Sequence, residues 1–268
     1  MSLTVASWNI NSVRLRSRQV GLFLDRYRPD VLCLQETKCP DNRFPLKPFR
    51  ARGYSDVLLN GQKGYHGVAT LSRRPFLATN KRDFCGKGDA RHAAVTIPDA
   101  GGEVTLHNVY VPSGGDVPDP TVNDKFAHKL AFLDEMKAWL NGSETDRPAI
   151  LVGDLNVAPH PADVWSHKQL LDVVSHTPVE TERLNALQAV GDWTDAIRHF
   201  APPEEKVFTW WSYRARDWRA SNRGRRLDHI WVTRPLAGRL ESAEIVSATR
   251  SWKRPSDHVP VVVRIGSA

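Results

Sequence analysis

The sequence is poor in the residues that would build a sulfur site. Three cysteines, Cys33, Cys39 and Cys85, occur in 268 residues. An odd, low count without CxxC spacing excludes a disulfide framework and a cysteine-held zinc site. Cys33 sits in the apolar run Val31-Leu32-Cys33-Leu34 and reads as a small buried hydrophobe. No run approaches the ~20 apolar residues that span a bilayer. No basic segment followed by an apolar stretch opens the chain, so no secretory signal is expected. Low-complexity segments, short-period repeats and linker-like stretches are missing too. These absences point to a soluble, cytoplasmic protein without membrane contact. Residues 1–268 read as a single domain, expected to act as a monomer.

What is present leans basic. Net charge is +7, from 37 Lys+Arg against 30 Asp+Glu. That balance favours polyanionic partners, nucleic acid first. Nine tryptophans is a high count. Some must be core, and some can face a ligand.

Polar residues recur where apolar runs stop. Val5-Ala6-Ser7-Trp8 runs into Asn9 and Asn11. Val31–Gln35 ends on Glu36. Ile150-Leu151-Val152 meets Gly153-Asp154-Leu155-Asn156. Asp228 starts an apolar run reaching Val232, and Ser256-Asp257-His258 opens onto Val259–Val263. Short apolar runs bounded by turn residues read as buried strands. One polar strand end is ordinary turn chemistry. Five, spread over the whole chain, suggest a single convergent site on a rigid sheet framework.

The remaining pattern alternates helix and strand. Ser12 is expected to cap a helix running from Val13 or Arg14 to about Arg28, with Val20, Leu24 and Tyr27 as its apolar stripe. Strands are expected near 31–36, 54–60, 67–73, 92–97 and 103–111. Phe126, Leu130, Leu133, Met136 and Leu140 mark a helix over 123–141, which Asn141-Gly142 would end. A strand at 149–153 follows, then a loop-like stretch to 180 and a helix over 181–190. A strand or turn is expected around 193–200, and strands near 207–211, 227–233, 241–247 and 259–265. Each half runs strand, helix, then strands, which suggests two similar layers around a shared cleft.

Carboxylates and amides without a cysteine or histidine cluster make a hard, oxygen-rich site. It suits Mg²⁺ or Mn²⁺ rather than Zn²⁺. Glu36 is the primary candidate ligand, with Asp257, Asn9 and Asn11 in or next to the coordination. His258 can meet a scissile phosphate with Asp228 orienting its ring. Asp154 can activate a water that Asn156 helps to hold. Together these describe phosphoester hydrolysis by in-line attack.

Seven motifs then carry a family resemblance. They are Ser7-Trp8-Asn9-Ile10-Asn11, Leu34-Gln35-Glu36-Thr37-Lys38, Gly67-Val68-Ala69, Asn108-Val109-Tyr110-Val111-Pro112, Gly153-Asp154-Leu155-Asn156, Arg226-Leu227-Asp228 and Ser256-Asp257-His258. In this order they resemble the exonuclease III type of abasic-site endonuclease, within the endonuclease/exonuclease/phosphatase superfamily. The resemblance implies a DNase I-like α/β fold, a four-layer sandwich of two packed mixed sheets flanked by helices. It implies Mg²⁺-dependent hydrolysis of double-stranded DNA at abasic sites or 3′ ends. Glu36 would hold the metal, with Asn9 and Asp257 near it. Tyr110 would contact the phosphate or help activate water. Asp154, assisted by Asn156, and His258, oriented by Asp228, remain alternative bases. Asn11 stands where some relatives carry Asp. The stretch Trp165–Pro178 departs from the Asn- and Gly-rich loop that relatives place near DNA, so the balance between internal cutting and 3′ trimming stays open.

Residues 210–226 interleave six arginines with four aromatics. Arginines grip phosphates, and aromatics stack on bases and sugars. Arg214 is the chosen phosphate contact, with Lys38, Lys63 and Arg91 as further ones. An aromatic lines the base-free sugar pocket in relatives, which points to Trp211. Two other readings exist: a superfamily phosphatase acting on phosphorylated lipids or sugars, and a catalytically silent DNA-binding protein.

Overall fold

Fourteen strands organise the computed structural model, which describes residues 2–141 and 146–267. In chain order they are β1 (Leu3–Asn9), β2 (Val31–Gln35), β3 (Asp56–Asn60), β4 (Val68–Ser72), β5 (Ala78–Asn80), β6 (His92–Asp99), β7 (Gly102–Tyr110), β8 (Ala149–Asp154), β9 (Thr194–Asp195), β10 (Trp210–Trp211), β11 (Gly224–Arg225), β12 (Asp228–Val232), β13 (Leu240–Ile245) and β14 (Val261–Ile265). Twelve of them form two six-stranded sheets, β13-β14-β1-β2-β4-β3 and β5-β6-β7-β8-β12-β9. Both are mixed, because β1–β2 and β7–β8 are parallel and the other pairs antiparallel. Strands β10 and β11 make a separate small ribbon.

The unbroken apolar runs now have a cause. Central strands are buried on both faces. Leu3, Val5, Val31 and Cys33 point from the first sheet into the core between the sheets, where Val104, Leu106, Ile150 and Val152 meet them. The alternate residues Ala6, Trp8, Leu32 and Leu34 pack outward with Val20, Phe23 and Leu24 of the helix Val13–Tyr27. On the other side Val109, Val111 and Leu151 pack with Phe132, Leu133 and Met136 of the helix Asp124–Asn141, and with Leu184 and Leu187 of the helix Pro178–Val190. Period-two alternation with both faces covered gives helix, sheet, sheet, helix. Cys33 lies wholly in the core, and burial pushes its thiol up to about 12.

Three local expectations change. Ser12 makes no side-chain cap and has a φ of +85°. Its backbone amide instead donates to the Glu36 carbonyl at 2.7 Å, so the helix starts from a tether to the site. The helix expected at 181 begins at Pro178, because Thr177 and Glu180 form a reciprocal capping box with proline in the first turn. The loop-like stretch before it contains a short helix, His167–Leu170. Gly142, expected to end the long helix, lies outside the described residues.

Candidate active site

The two sheets aim the same pole at one point. Asp154 ends β8, with Tyr110 of β7 beside it in parallel register and Asp228 of β12 opposite it. Asn9 ends β1 next to Gln35, and Glu36 follows directly. His258 precedes β14 and bridges to Trp210. Ladder pairing thus fixes side chains far apart in sequence to within a few ångströms.

Gly153 shows why the motif needs glycine before its acid. Its φ is +147°, and a Cβ there would stand 1.8 Å from the Val109 carbonyl oxygen. Several polar residues at this pole also hold left-handed backbone: Asn11, Glu36, Lys38 and Asn156 have φ between +46° and +54°. Such conformations are uncommon outside glycine and gather at functional sites.

A connected set of hydrogen bonds runs across the centre. Asn9 donates through Nδ2 to Glu36 Oε1 at 3.0 Å and to Asp154 Oδ2 at 2.8 Å. Tyr110 donates its hydroxyl to Glu36 Oε1 at 2.9 Å. His258 Nδ1 lies 2.8 Å from Asp228 Oδ2, and its Nε2 lies 3.7 Å from Asp154 Oδ2. Thr209 Oγ1 accepts the amides of Leu227 and Asp228. Trp8 donates its indole to the His258 carbonyl. Asn156 donates its amide nitrogen to the Val111 carbonyl, which leaves its amide oxygen for a ligand.

The electrostatics follow from burial and close charges. Burial raises Asp154 to about 7, with His258 opposing and Asp228 adding. Burial disfavours a charged His258, yet Asp228 and Asp154 outweigh it and raise the imidazole to about 10. Burial also works against ionised Glu36, but the Lys38 ammonium and the Asn9 amide hold it below its ordinary value. Burial and the Glu36 charge drive Tyr110 well upward, so its hydroxyl stays a donor.

The structure sorts the candidates. Among the described residues, Glu36, Asp154 and His258 bring ligand atoms within 4.8 Å of one another. Asp257 is not one of these three; its carboxylate accepts from Asn11 Nδ2 and Trp210 Nε1. Asn9 Oδ1 accepts the Asn11 amide, while its Nδ2 donates to both carboxylates. Two carboxylates with neighbouring amides, a hard donor set, fit a divalent cation of the Mg²⁺ kind.

Of the presumed DNA contacts, Lys63 and Arg214 are exposed. Lys38 turns inward, donating to Glu36 at 2.7 Å and to Asn11 Oδ1. Arg91 is buried, paired with Asp89 and lying over the Tyr110 ring at 4.8 Å. It also donates to the Tyr110 carbonyl, so it braces that residue rather than facing solvent. Trp211 is 5% exposed and packs with Phe208, Trp218 and Val259. Its neighbour Trp210 is the half-buried ring next to the centre.

Sequence reasoning passed over several supporting residues. Asn108 is fully buried and donates across the sheets to the Leu34 and Ala69 carbonyls, while accepting from Gln35. A lone amide inside an apolar run was the available signal. Lys129 is also fully buried. It donates to the Asn156 carbonyl and pairs with Glu180. Helical periodicity alone hid it among the apolar positions.

The Endonuclease/Exonuclease/phosphatase family pattern matches residues 6–258. The chain is 31% identical over 265 residues to exodeoxyribonuclease III of Haemophilus influenzae, covering 95% of this chain and 97% of that protein. An AP endonuclease from Archaeoglobus fulgidus superposes with a TM-score of 0.89 at 31% identity, covering 97% of this chain and 98% of that one. A 3′ phosphatase from Neisseria, solved with a product DNA hairpin, gives 0.88 at 28% identity over 98% and 99% of the two chains. The chain belongs to the endonuclease/exonuclease/phosphatase family, in its exonuclease III branch. Its two mixed sheets flanked by helices are the architecture of these relatives.

Proposed function

We propose that this chain is a metal-dependent DNA-repair nuclease, acting as one catalytic domain on double-stranded DNA. Its activities would be incision 5′ to abasic sites, removal of 3′-terminal nucleotides, or both. The observation that carries this is the chain of contacts Glu36–Asn9–Asp154–His258–Asp228, drawn from both sheets onto one pole.

Each residue has a task. Asp154, buried and set near neutrality by burial, takes the proton of the attacking water. Asn156 accepts from that water through its free amide oxygen and fixes its direction. His258, kept protonated by Asp228, donates to a phosphoryl oxygen where charge develops. The water oxygen bonds to phosphorus, the bond to the 3′ oxygen breaks, and that oxygen takes a proton from solvent as it leaves, balancing the water proton held by Asp154. Tyr110 holds Glu36 in place. Glu36 would hold the divalent cation, Mg²⁺ or Mn²⁺, with water and substrate phosphate filling the rest of its shell. Bound there, the ion supplies charge neutralisation at the phosphate.

The test is a labelled duplex with one abasic analogue, beside a recessed 3′ end without a lesion. Both are incubated with Mg²⁺, with Mn²⁺ and with chelator. Mg²⁺-dependent incision or shortening is expected. No cleavage of either substrate under any condition would end this reading, and hydrolysis of a phosphoinositide in its place would favour the phosphatase alternative.

A further inference from the structure

A cleft of about 960 Å³ opens beside Glu36, Asn156 and His258. It is large enough for a nucleotide-sized fragment. An arginine, Arg225, is built into its wall. Arg225 faces Trp210 across the β10–β11 ribbon, and its guanidinium lies 5.3 Å from that ring's centre. The Trp210 indole is itself fixed by Asp257 at 3.0 Å.

The arginine is anchored on one side only. Nη1 donates to the Val174 carbonyl at 2.9 Å and to Ser175 Oγ at 2.7 Å. Nε is buried and, among the described residues, has no hydrogen-bond partner. A buried polar atom left unpaired is costly and calls for an explanation. The nearest carboxylate does not supply one. Glu180 is committed to Lys129 and to the amides of Ser175 and Thr177. The segment carrying Ser175 is therefore held twice, by Glu180 at its amide and by Arg225 at its hydroxyl. A second arginine, Arg223, lies 4.6 Å from the Trp165 ring on the same wall.

We infer that Arg225 is a specificity-determining residue, reading negative charge on the fragment that stays esterified to the attacked phosphate. Nη2, which has no hydrogen-bond partner among the described residues and is not shut off from solvent, can donate to an oxyanion in the cleft, and the contact with the Trp210 ring holds the guanidinium in place. The oxyanion is the next backbone phosphate of an uncut strand or an acidic group on a damaged 3′ end. A neutral fragment leaves that donor without a charged partner. This inference rests on the nuclease reading of the same site.

Two matched substrate pairs test it. In the first, a 3′ end carries either a phosphoglycolate or its neutral 2-hydroxyethyl phosphate analogue. In the second, the same abasic analogue sits either inside the strand or at its 3′ terminus. Cleavage at the common bond is timed for the wild type, Arg225→Gln and Arg225→Lys. Binding of the same oligonucleotides is measured by anisotropy in chelator. The wild type should favour the charged member of at least one pair roughly tenfold, the scale of one charge-assisted hydrogen bond. The pair that shows it identifies the source of the charge. Arg225→Gln should abolish the preference by slowing only the charged member, and Arg225→Lys should keep part of it. Equal slowing of both members would make Arg225 a mere brace and overturn the inference, as would a wild type without preference. Binding preference without any cleavage would keep Arg225's role and remove the nuclease reading instead.

Discussion

Two stretches carry most of the polar chemistry of this chain, and the fold uses them differently. At the strand ends, Asn9, Glu36, Asp154, Asp228 and His258 converge on one centre from positions up to 249 residues apart. In residues 210–226 the side chains part company. Arg214, Arg216, Arg219 and Arg223 are exposed, while Trp211 and Arg226 are buried. Arg226 bonds Asp163 through Nε and Nη2 and Asp195 through Nη1, with His229 alongside. Strand ladders dictate where a residue at a strand end must point. Outside the short strands β10 and β11, residues 210–226 have no such rule, and tertiary packing decides which of their charges face water.

The sharpest way to break the strand-end half of this contrast is to alter its centre. Asp154→Asn and His258→Ala should each lower cleavage by a factor of roughly a hundred or more, as loss of a transition-state contact does. The melting temperature should stay near the wild type for Asp154→Asn, whereas His258→Ala should lower it, because Asp228 is left buried without its counter-ion. A variant with near-normal turnover would take that residue out of its assigned role.

The loop half should break by unfolding instead. Arg226→Met leaves Asp163 and Asp195 buried without their main counter-ion. Uncompensated buried charge costs about 3–5 kcal/mol, read as a lower urea midpoint. The same network predicts acid lability. Burial works against ionised Asp163 and Asp195, but Arg226 outweighs it and holds both below the ordinary carboxylate range. Their folded-state values lie below the unfolded value of about 3.9. Their stabilisation is therefore present above about pH 4 and lost as pH falls further. Urea melts between pH 5 and 3 should show the wild type weakening more steeply than Arg226→Met. Parallel slopes would mean that the network does not couple to protons.

The same contrast explains what could be read in advance. The layers and most strands were legible because buried strands advertise themselves as apolar runs. The centre was legible because its residues close those runs. Partners were not. Lys38 and Arg91 carry charges that sequence assigns to phosphate, yet nearby carboxylates and the Tyr110 ring claim them first. The choice between Trp210 and Trp211 depends on which ring the ribbon turns inward, and adjacent strand positions face opposite ways. The Thr177-Glu180 capping box was readable but was masked by the irregular stretch before it.

The smallest expected effect tests whether the exposed arginines grip DNA at all. Arg214 lines the cleft, it is exposed, and among the described residues no carboxylate pairs with it. If it meets a backbone phosphate, Arg214→Ala should weaken duplex binding a few-fold at moderate salt and lower the slope of log affinity against log salt by about one. Cleavage at saturating DNA should be nearly unchanged, because the residue lies outside the contact chain of the centre. An unchanged salt slope would place Arg214 away from the backbone and leave Arg216, Arg219 and Arg223 as the exposed charges of this loop to test.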